Sequence, residues 1–338
     1  MATASHRSGE NTLAVTVLGA GAWGTAIAAL LARNGHHVQL WARRTELANT
    51  IAATNRNSAY LPGVTLPGGI SATSDLEEAQ RGSNIVFLAV PSRAVRPVCT
   101  QLAALGNTAA FVSCVKGMEL SSLKRISELI AECLPTAQPG VLSGPNLAGE
   151  IAAQKPAATT IASSSSSLTQ IVQQLLQQIT FRVYTTSDVV GVEIAGALKN
   201  VIALACGIND GLQLGENSKA ALITRGLAEI VRLGTKLGGE MRTFHGLAGI
   251  GDLVATCSGR GSRNHWAGMQ IAQGATVADL EASGVTAEGI LTAQAIRANP
   301  VVRTIDLPIT REVHHILFTG KDPCDALASL MSCAGKAE

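Results

Sequence analysis

Apolar residues in the first half of the chain fall in short runs rather than long stripes. LAVTVL (13–18), HVQLW (37–41), NIVFLAV (84–90) and AAFVSCV (109–115) are the clearest, and VLS (141–143), TTIAS (159–163) and FRVYT (181–185) are shorter ones. Such runs, bounded by turn residues, fit strands buried on both faces. Helical spacing fills the intervals, as over 25–33, which Asn34-Gly35 stops. Strands alternating with helices predict right-handed crossovers and a doubly wound, mostly parallel sheet. The serine run Ser163–Ser167 has the composition of a linker, yet SLTQIVQQLLQQ follows with helical periodicity. The serines are therefore expected to turn the chain and cap a helix.

The pattern changes at Asp188, a residue suited to an N-cap. Helices are predicted over 189–208 and 218–238, with shorter ones to the end. Two domains are expected: 1–187, Rossmann-type α/β with a loose tail over 1–11, and 188–338, all-α. A ligand cleft would lie between them. The segment VVGVEIAGALKNVIALACGI (189–208) is long enough to cross a bilayer. Glu193 and Lys199 inside it would each cost about 2.5–3.5 kcal/mol at the membrane centre. A buried helix of a soluble protein is the expectation, with no membrane insertion.

Composition narrows the class. A length of 338 residues suits about two domains, and 46% hydrophobic with 15% charged residues gives an ordered core. The net charge of +2 and a single pair of adjacent arginines, Arg43-Arg44, argue against a nucleic-acid partner. Seven cysteines occur without a C-x-x-C pair or Cys/His ligand spacing, which predicts no bound metal and a reducing, cytoplasmic setting. MATASHRSGEN has no apolar core of the kind a signal peptide needs.

Between the first run and the first helix stands GAGAWG, with Gly19, Gly21 and Gly24 spaced G-x-G-x-x-G. Alone this is a weak motif. After a strand and before a helix it predicts a tight turn at Gly19, close approach of a pyrophosphate at Gly21 and close helix–strand packing at Gly24. The helix N-terminus would face the phosphates with a favourable dipole. The second strand ends in Trp41-Ala42-Arg43-Arg44, with no acid to take ribose hydroxyls. Arg43 could hold a 2′-phosphate, which favours NADPH, or stack on adenine, which admits NADH as well.

In the helical half, Lys199 lies among the small residues Ala195, Gly196 and Ala203. It either snorkels outward or is placed for proton transfer, and the sequence leaves both readings open. Glu193, six positions away, is not its natural ion-pair partner. Lys116 in CVKGM follows a parallel strand, where such sheets bind ligands. Asp252 in LAGIGDLVATC reads as part of a glycine-flanked loop, and Ser262, Arg263 and Asn264 in CSGRGSRNHW as donors for an anion such as phosphate. Taken singly, these have plainer readings: a surface lysine, a capping aspartate, a solvated loop.

Taken together, GAGAWGTA, WARR, NSAYLPG, CVKGME, SGPNLAGE, EIAGALKNVIALACGINDGL, ALITRGLAE, LAGIGDLVATCSGRGSRN and AEG stand in an order that resembles the NAD(P)-dependent glycerol-3-phosphate dehydrogenases. The resemblance runs from about 13 to 330. It implies reversible reduction of dihydroxyacetone phosphate to sn-glycerol 3-phosphate, feeding phospholipid synthesis, by a homodimer. Lys199 is implied as general acid/base and substrate contact. Lys116, Gly144, Asn146, Asp252, Ser262, Arg263 and Asn264 are the other implied substrate contacts. Gly19, Gly21, Ala22, Trp23, Gly24, Arg43, Tyr60, Lys116, Ala148, Arg263, Thr286 and Glu288 match nucleotide contacts. The chain departs from the pattern at Ala22, where Ser is common, at GPNLA in place of G-P-S-F-A, and at Thr286 in place of an aliphatic residue. Two other readings stand beside this one: a related reductase of a small keto or hydroxy acid, and a non-catalytic nucleotide sensor.

Overall fold

A computed structural model describes residues 13–259, 261–300 and 302–332. The expected loose tail over 1–11 lies outside the described residues. Eight strands, β1 (Val15–Leu18), β2 (Val38–Trp41), β3 (Ile70–Thr73), β4 (Ile85–Leu88), β5 (Ala110–Ser113), β6 (Pro139–Ser143), β7 (Ala157–Ala162) and β8 (Phe181–Thr186), form one sheet. Their order is β3-β2-β1-β4-β5-β6-β7-β8. All neighbours are parallel except β6 and β7, which run antiparallel. The order reverses between β1 and β4, and the crevice at the carboxyl ends of those strands is where open α/β sheets bind nucleotides.

The strands are apolar on both faces because both faces are covered. Val15, Val17, Ile85, Phe87 and Val112 belong to one cluster, while Leu18, Val86, Leu88 and Phe111 belong to another on the opposite side. The helices of this half are α1 (Ala22–Arg33), α2 (Thr45–Thr54), α3 (Leu76–Gln80), α4 (Val95–Ala104), α5 (Ile126–Cys133), α6 (Ala148–Ala152) and α7 (Ser166–Leu176). Ile27, Leu31, Val172 and Leu175 of α1 and α7 complete the first cluster, and Val98, Leu102, Leu129 and Ile130 of α4 and α5 the second. The serine run behaves as expected: Ser165 caps α7 by accepting from the Leu168 amide.

Among the described residues, regular elements after β8 are helical: α8 (Val189–Gly211), α9 (Glu216–Lys236), α10 (Met241–Phe244), α11 (Asp252–Ser258), α12 (Arg263–Ala272), α13 (Val277–Ala282), α14 (Glu288–Ala298), α15 (Pro308–Thr319) and α16 (Pro323–Met331). Asp188 caps α8, its Oδ1 accepting from the Gly191 amide at 2.8 Å. This helix passes the length and apolarity test for a membrane span, yet it is buried inside the protein along most of its length. Its neighbours come very close. A Cβ on Gly207 would fall 2.0 Å from the His265 carbonyl oxygen, and one on Gly268 would fall 2.2 Å from that of Leu204. Glycines here let α8 and α12 cross almost backbone to backbone.

One strand carries no mark in the sequence, and one expectation needs correction. The strand β3, ISAT, carries no apolar run because it is an edge strand with no fully buried residue, so hydrophobic pattern did not mark it. Asp252 is not in a loop. A π-helical turn over Leu247–Gly251 leads straight into α11, with Asp252 in its first turn. Gly249 serves packing there, since a Cβ would meet the Phe244 carbonyl oxygen at 2.0 Å.

Candidate active site

The glycine loop joins β1 to α1 at the reversal of strand order. Gly19 adopts φ +112°, and any Cβ on it would lie 2.6 Å from the Ala89 carbonyl oxygen at the end of β4. A Cβ on Gly24 would fall 1.9 Å from Gly19 O, so neither position admits a side chain. Gly21 differs: a Cβ there meets nothing within 4 Å. It is the N-cap residue of α1, and no side chain caps that end. The first amides of α1, including those of Ala22 and Trp23, thus face an open crevice without a protein acceptor from a capping group, as a bound pyrophosphate requires. The Trp23 indole Nε1 is buried with no hydrogen-bond partner among the described residues. Arg43 is exposed just past β2. Tyr60, also exposed, is engaged by its neighbour instead: Arg44 Nη2 donates to the Tyr60 hydroxyl at 3.3 Å and the guanidinium stands 5.8 Å from the ring centre.

Lys199 does not snorkel. It is 4% exposed, and its Nζ donates to Asp252 Oδ1 at 2.5 Å and to Thr256 Oγ1 at 2.6 Å. The other oxygen of Asp252 accepts from Lys116 Nζ at 2.7 Å, and Lys116 also donates to the Gly144 carbonyl at 2.9 Å. One buried carboxylate therefore bridges an amine from the end of the sheet and an amine from α8. Gly196 makes the approach feasible, since its missing side chain leaves Ser143 Oγ 3.0 Å and Lys116 Cγ 3.7 Å from where a Cβ would be. Burial drives the Lys199 pKa down to about 7 against the pull of Asp252, and the nearby Lys116 charge adds to the fall. Burial alone would raise Asp252, but the charges of Lys116 and Lys199 outweigh it and hold the carboxyl below its ordinary value.

A chain of amides extends the site to α12. Asn200 donates to the Lys116 carbonyl at 3.0 Å, and Asn264 donates to Asn200 Oδ1 at 2.9 Å while accepting from the Gly289 amide at 2.9 Å. Ser262 is the N-cap of α12 and accepts from the His265 amide, whereas Arg263 beside it is exposed. The positive end of a ten-residue helix, linked to Lys116 through Asn264 and Asn200, is a suitable place for an anion.

Two halves of the chain whose models are described as NAD-dependent glycerol-3-phosphate dehydrogenase N-terminus and C-terminus match residues 14–169 and 188–328. The chain belongs to this dehydrogenase family. It is similar to a relative from Moorella thermoacetica named glycerol-3-phosphate dehydrogenase (NAD(P)+), 46% identical over 319 residues that cover 94% of this chain and 95% of the relative. One of the same name from Bacillus pumilus is 45% identical, covering 94% of each. The crystal structure of glycerol-3-phosphate dehydrogenase from Coxiella burnetii superposes with a TM-score of 0.91 at 37% identity, covering 95% of this chain and 99% of that one.

Seen as a glycerol-3-phosphate dehydrogenase site, the residues named from sequence divide into groups. Lys116, Gly144, Lys199 and Asp252 are in direct contact, and Asn264 reaches them through Asn200. Asn146 has no bond to the lysines: its Nδ2 donates to Thr159 Oγ1 at 2.9 Å, and its Oδ1 has no partner among the described residues. Ala148 opens α6, half-buried beneath the glycine loop's helix. Thr286 is half-buried before α14, and Glu288 is buried with both oxygens taken, accepting from the Ser92 amide at 3.0 Å and from its hydroxyl at 2.6 Å. Glu288 thereby ties the helical half to the loop after β4.

Sequence reasoning missed Thr256, Asn200 and Ser92. Thr256 stands four residues after Asp252 on one helix face, and Asn200 is a polar residue in an apolar helix. Both signals were readable. Ser92 carries none.

Proposed function

We propose that this protein reduces dihydroxyacetone phosphate to sn-glycerol 3-phosphate, reversibly and in preference with NADPH, using 1–187 as its nucleotide domain and 188–338 as its catalytic domain. The observation that carries the reading is the buried Lys199–Asp252–Lys116 bridge linked to an anion-ready helix end. The glycine loop, with Ala22, Trp23 and Arg43, would hold the dinucleotide, and when bound its reduced nicotinamide supplies a hydride. Lys199 donates a proton to the substrate's keto oxygen. Asp252 keeps the ammonium aimed by holding one of its hydrogens, while Thr256 Oγ1 accepts another and passes its own hydrogen to the Asp252 carbonyl at 2.6 Å. Lys116 orients the substrate hydroxyls and anchors the loop at Gly144. Ser262, Arg263 and Asn264 take the phosphate. Buried placement excludes water and brings the amine near neutrality, so it can give a proton in one direction and take it back in the other. The six described cysteines are all free thiols, in keeping with a cytoplasmic setting.

The test is spectrophotometric. Purified protein oxidises NADPH only once dihydroxyacetone phosphate is added, and more slowly with NADH. NADPH turnover that responds to small keto acids and not to this phosphate ester would overturn the proposal.

A further inference from the structure

We propose that Asn57 is a positioning residue of the nucleotide site, whose buried amide aims the Gly21 peptide N–H at the dinucleotide pyrophosphate. Asn57 belongs to NSAYLPG, a segment whose likeness to the family gave a role to Tyr60 alone. It is wholly buried. The segment 55–66 is a strap closed on itself. Asn55 ends α2 in the left-handed region with φ +51°, Leu66 N donates to Asn55 O at 2.8 Å, and Arg56 pairs with Thr65. Leu61 N donates to Asn57 O at 2.8 Å, and the Leu61 and Leu66 side chains are sunk in the core under α1. The strap thus has anchors of its own and presents the Asn57 side chain from a fixed place.

Both hydrogens of that amide go to the glycine loop and the helix it opens: Nδ2 donates to the Ala20 carbonyl in the loop at 2.9 Å and to Thr25 Oγ1 in the first turn of α1 at 2.7 Å. In a trans peptide the carbonyl and the following N–H point in opposite directions. Drawing Ala20 C=O to the buried side therefore turns Gly21 N–H away from that side, and the surroundings of Gly21 are open, since a Cβ there would meet nothing within 4 Å. The second bond holds the helix start in register with the loop, and Thr25 N already donates to Gly21 O at 2.9 Å. The donor is oriented before any ligand arrives, which lowers the cost of binding.

This inference rests on the placement of the pyrophosphate at the glycine loop, and the experiment separates the two. The full chain and its Asn57→Ala, Thr25→Val and Gly21→Val variants are titrated calorimetrically with 2′-phospho-ADP-ribose, which has the pyrophosphate, and with adenosine 2′-monophosphate, which lacks it. Asn57→Ala is expected to bind the first about tenfold more weakly and the second as before, with the KM for NADPH rising while kcat holds. Thr25→Val, which removes one of the two acceptors at nearly constant volume, is expected to lose about threefold on the first ligand alone. Wild-type affinity for 2′-phospho-ADP-ribose in Asn57→Ala overturns the role, and so does an equal loss of both ligands, the mark of a purely structural residue. If Asn57→Ala does not fold, Thr25→Val decides by the same two criteria. Survival of 2′-phospho-ADP-ribose binding in Gly21→Val sinks the cradle itself; its loss there with no effect at Asn57 sinks only the positioning role.

Discussion

At the tip of β1 the chain opens a crevice by leaving atoms out, while on α8 it buries charge. The crevice at Gly19, Gly21 and Gly24 is backbone, with amides that no side chain caps. The lysine pair is the reverse, two long amines desolvated around a single carboxylate. The difference concerns what each half tolerates. A glycine cradle fails sterically and locally, since one methyl group fills it. A buried charge cluster fails electrostatically, and what matters is whether each charge keeps a partner.

The largest expected effect breaks the charged half alone. Lys199→Ala should lower kcat by roughly 10²–10⁴-fold, the range for a general acid/base, while nucleotide affinity by fluorescence titration stays near wild type. A variant with normal turnover would remove the distinction between the halves. Next comes Arg125→Ala. Glu193 on α8 accepts from Arg125 Nη1 at 2.8 Å, the Ser127 amide at 2.7 Å and the Ser127 hydroxyl at 2.6 Å. Burial raises the Glu193 pKa, with Arg125 and Ser127 working against it. Removing the guanidinium leaves a buried carboxylate short of compensation, and urea denaturation should show a loss of about 3 kcal/mol.

The pH dependence sharpens the same contrast. With Lys199 brought to about 7 by burial, the protonated donor is depleted above that value. Reduction of dihydroxyacetone phosphate should fall about tenfold per unit well above pH 7, and oxidation of glycerol 3-phosphate should rise toward pH 7 and level off beyond it. Parallel profiles in both directions would show that another group controls the proton. The smallest effect belongs to the backbone half. Arg43→Ala should reduce the ratio of NADPH to NADH specificity by about tenfold, read from kcat/KM for each. An unchanged ratio would shift attention to Arg44, which Tyr60 already holds.

The legible parts of this chain were those with a local signature. Seven strands declared themselves as apolar runs because the sheet is covered on both sides, and the glycine spacing fell where a strand meets a helix. The edge strand β3 escaped, having no buried face to mark it. Lys199 and Asp252 could each be picked out, but their contact spans 53 positions and no spacing rule reaches that far. The glycines before Asp252 suggest a loop, yet the backbone there is helical and Gly249 serves close packing against Phe244. Ser92 is invisible from its neighbourhood because its partner, Glu288, comes 196 residues later.

The burial of α8 has a consequence during synthesis. The helices that cover it, α9, α11, α12 and α14, all lie later in the chain, so the nascent polypeptide carries a 23-residue greasy rod for as long as the ribosome needs to finish them. Until then the helix that bears Lys199 shows the solvent the length and apolarity of a membrane anchor.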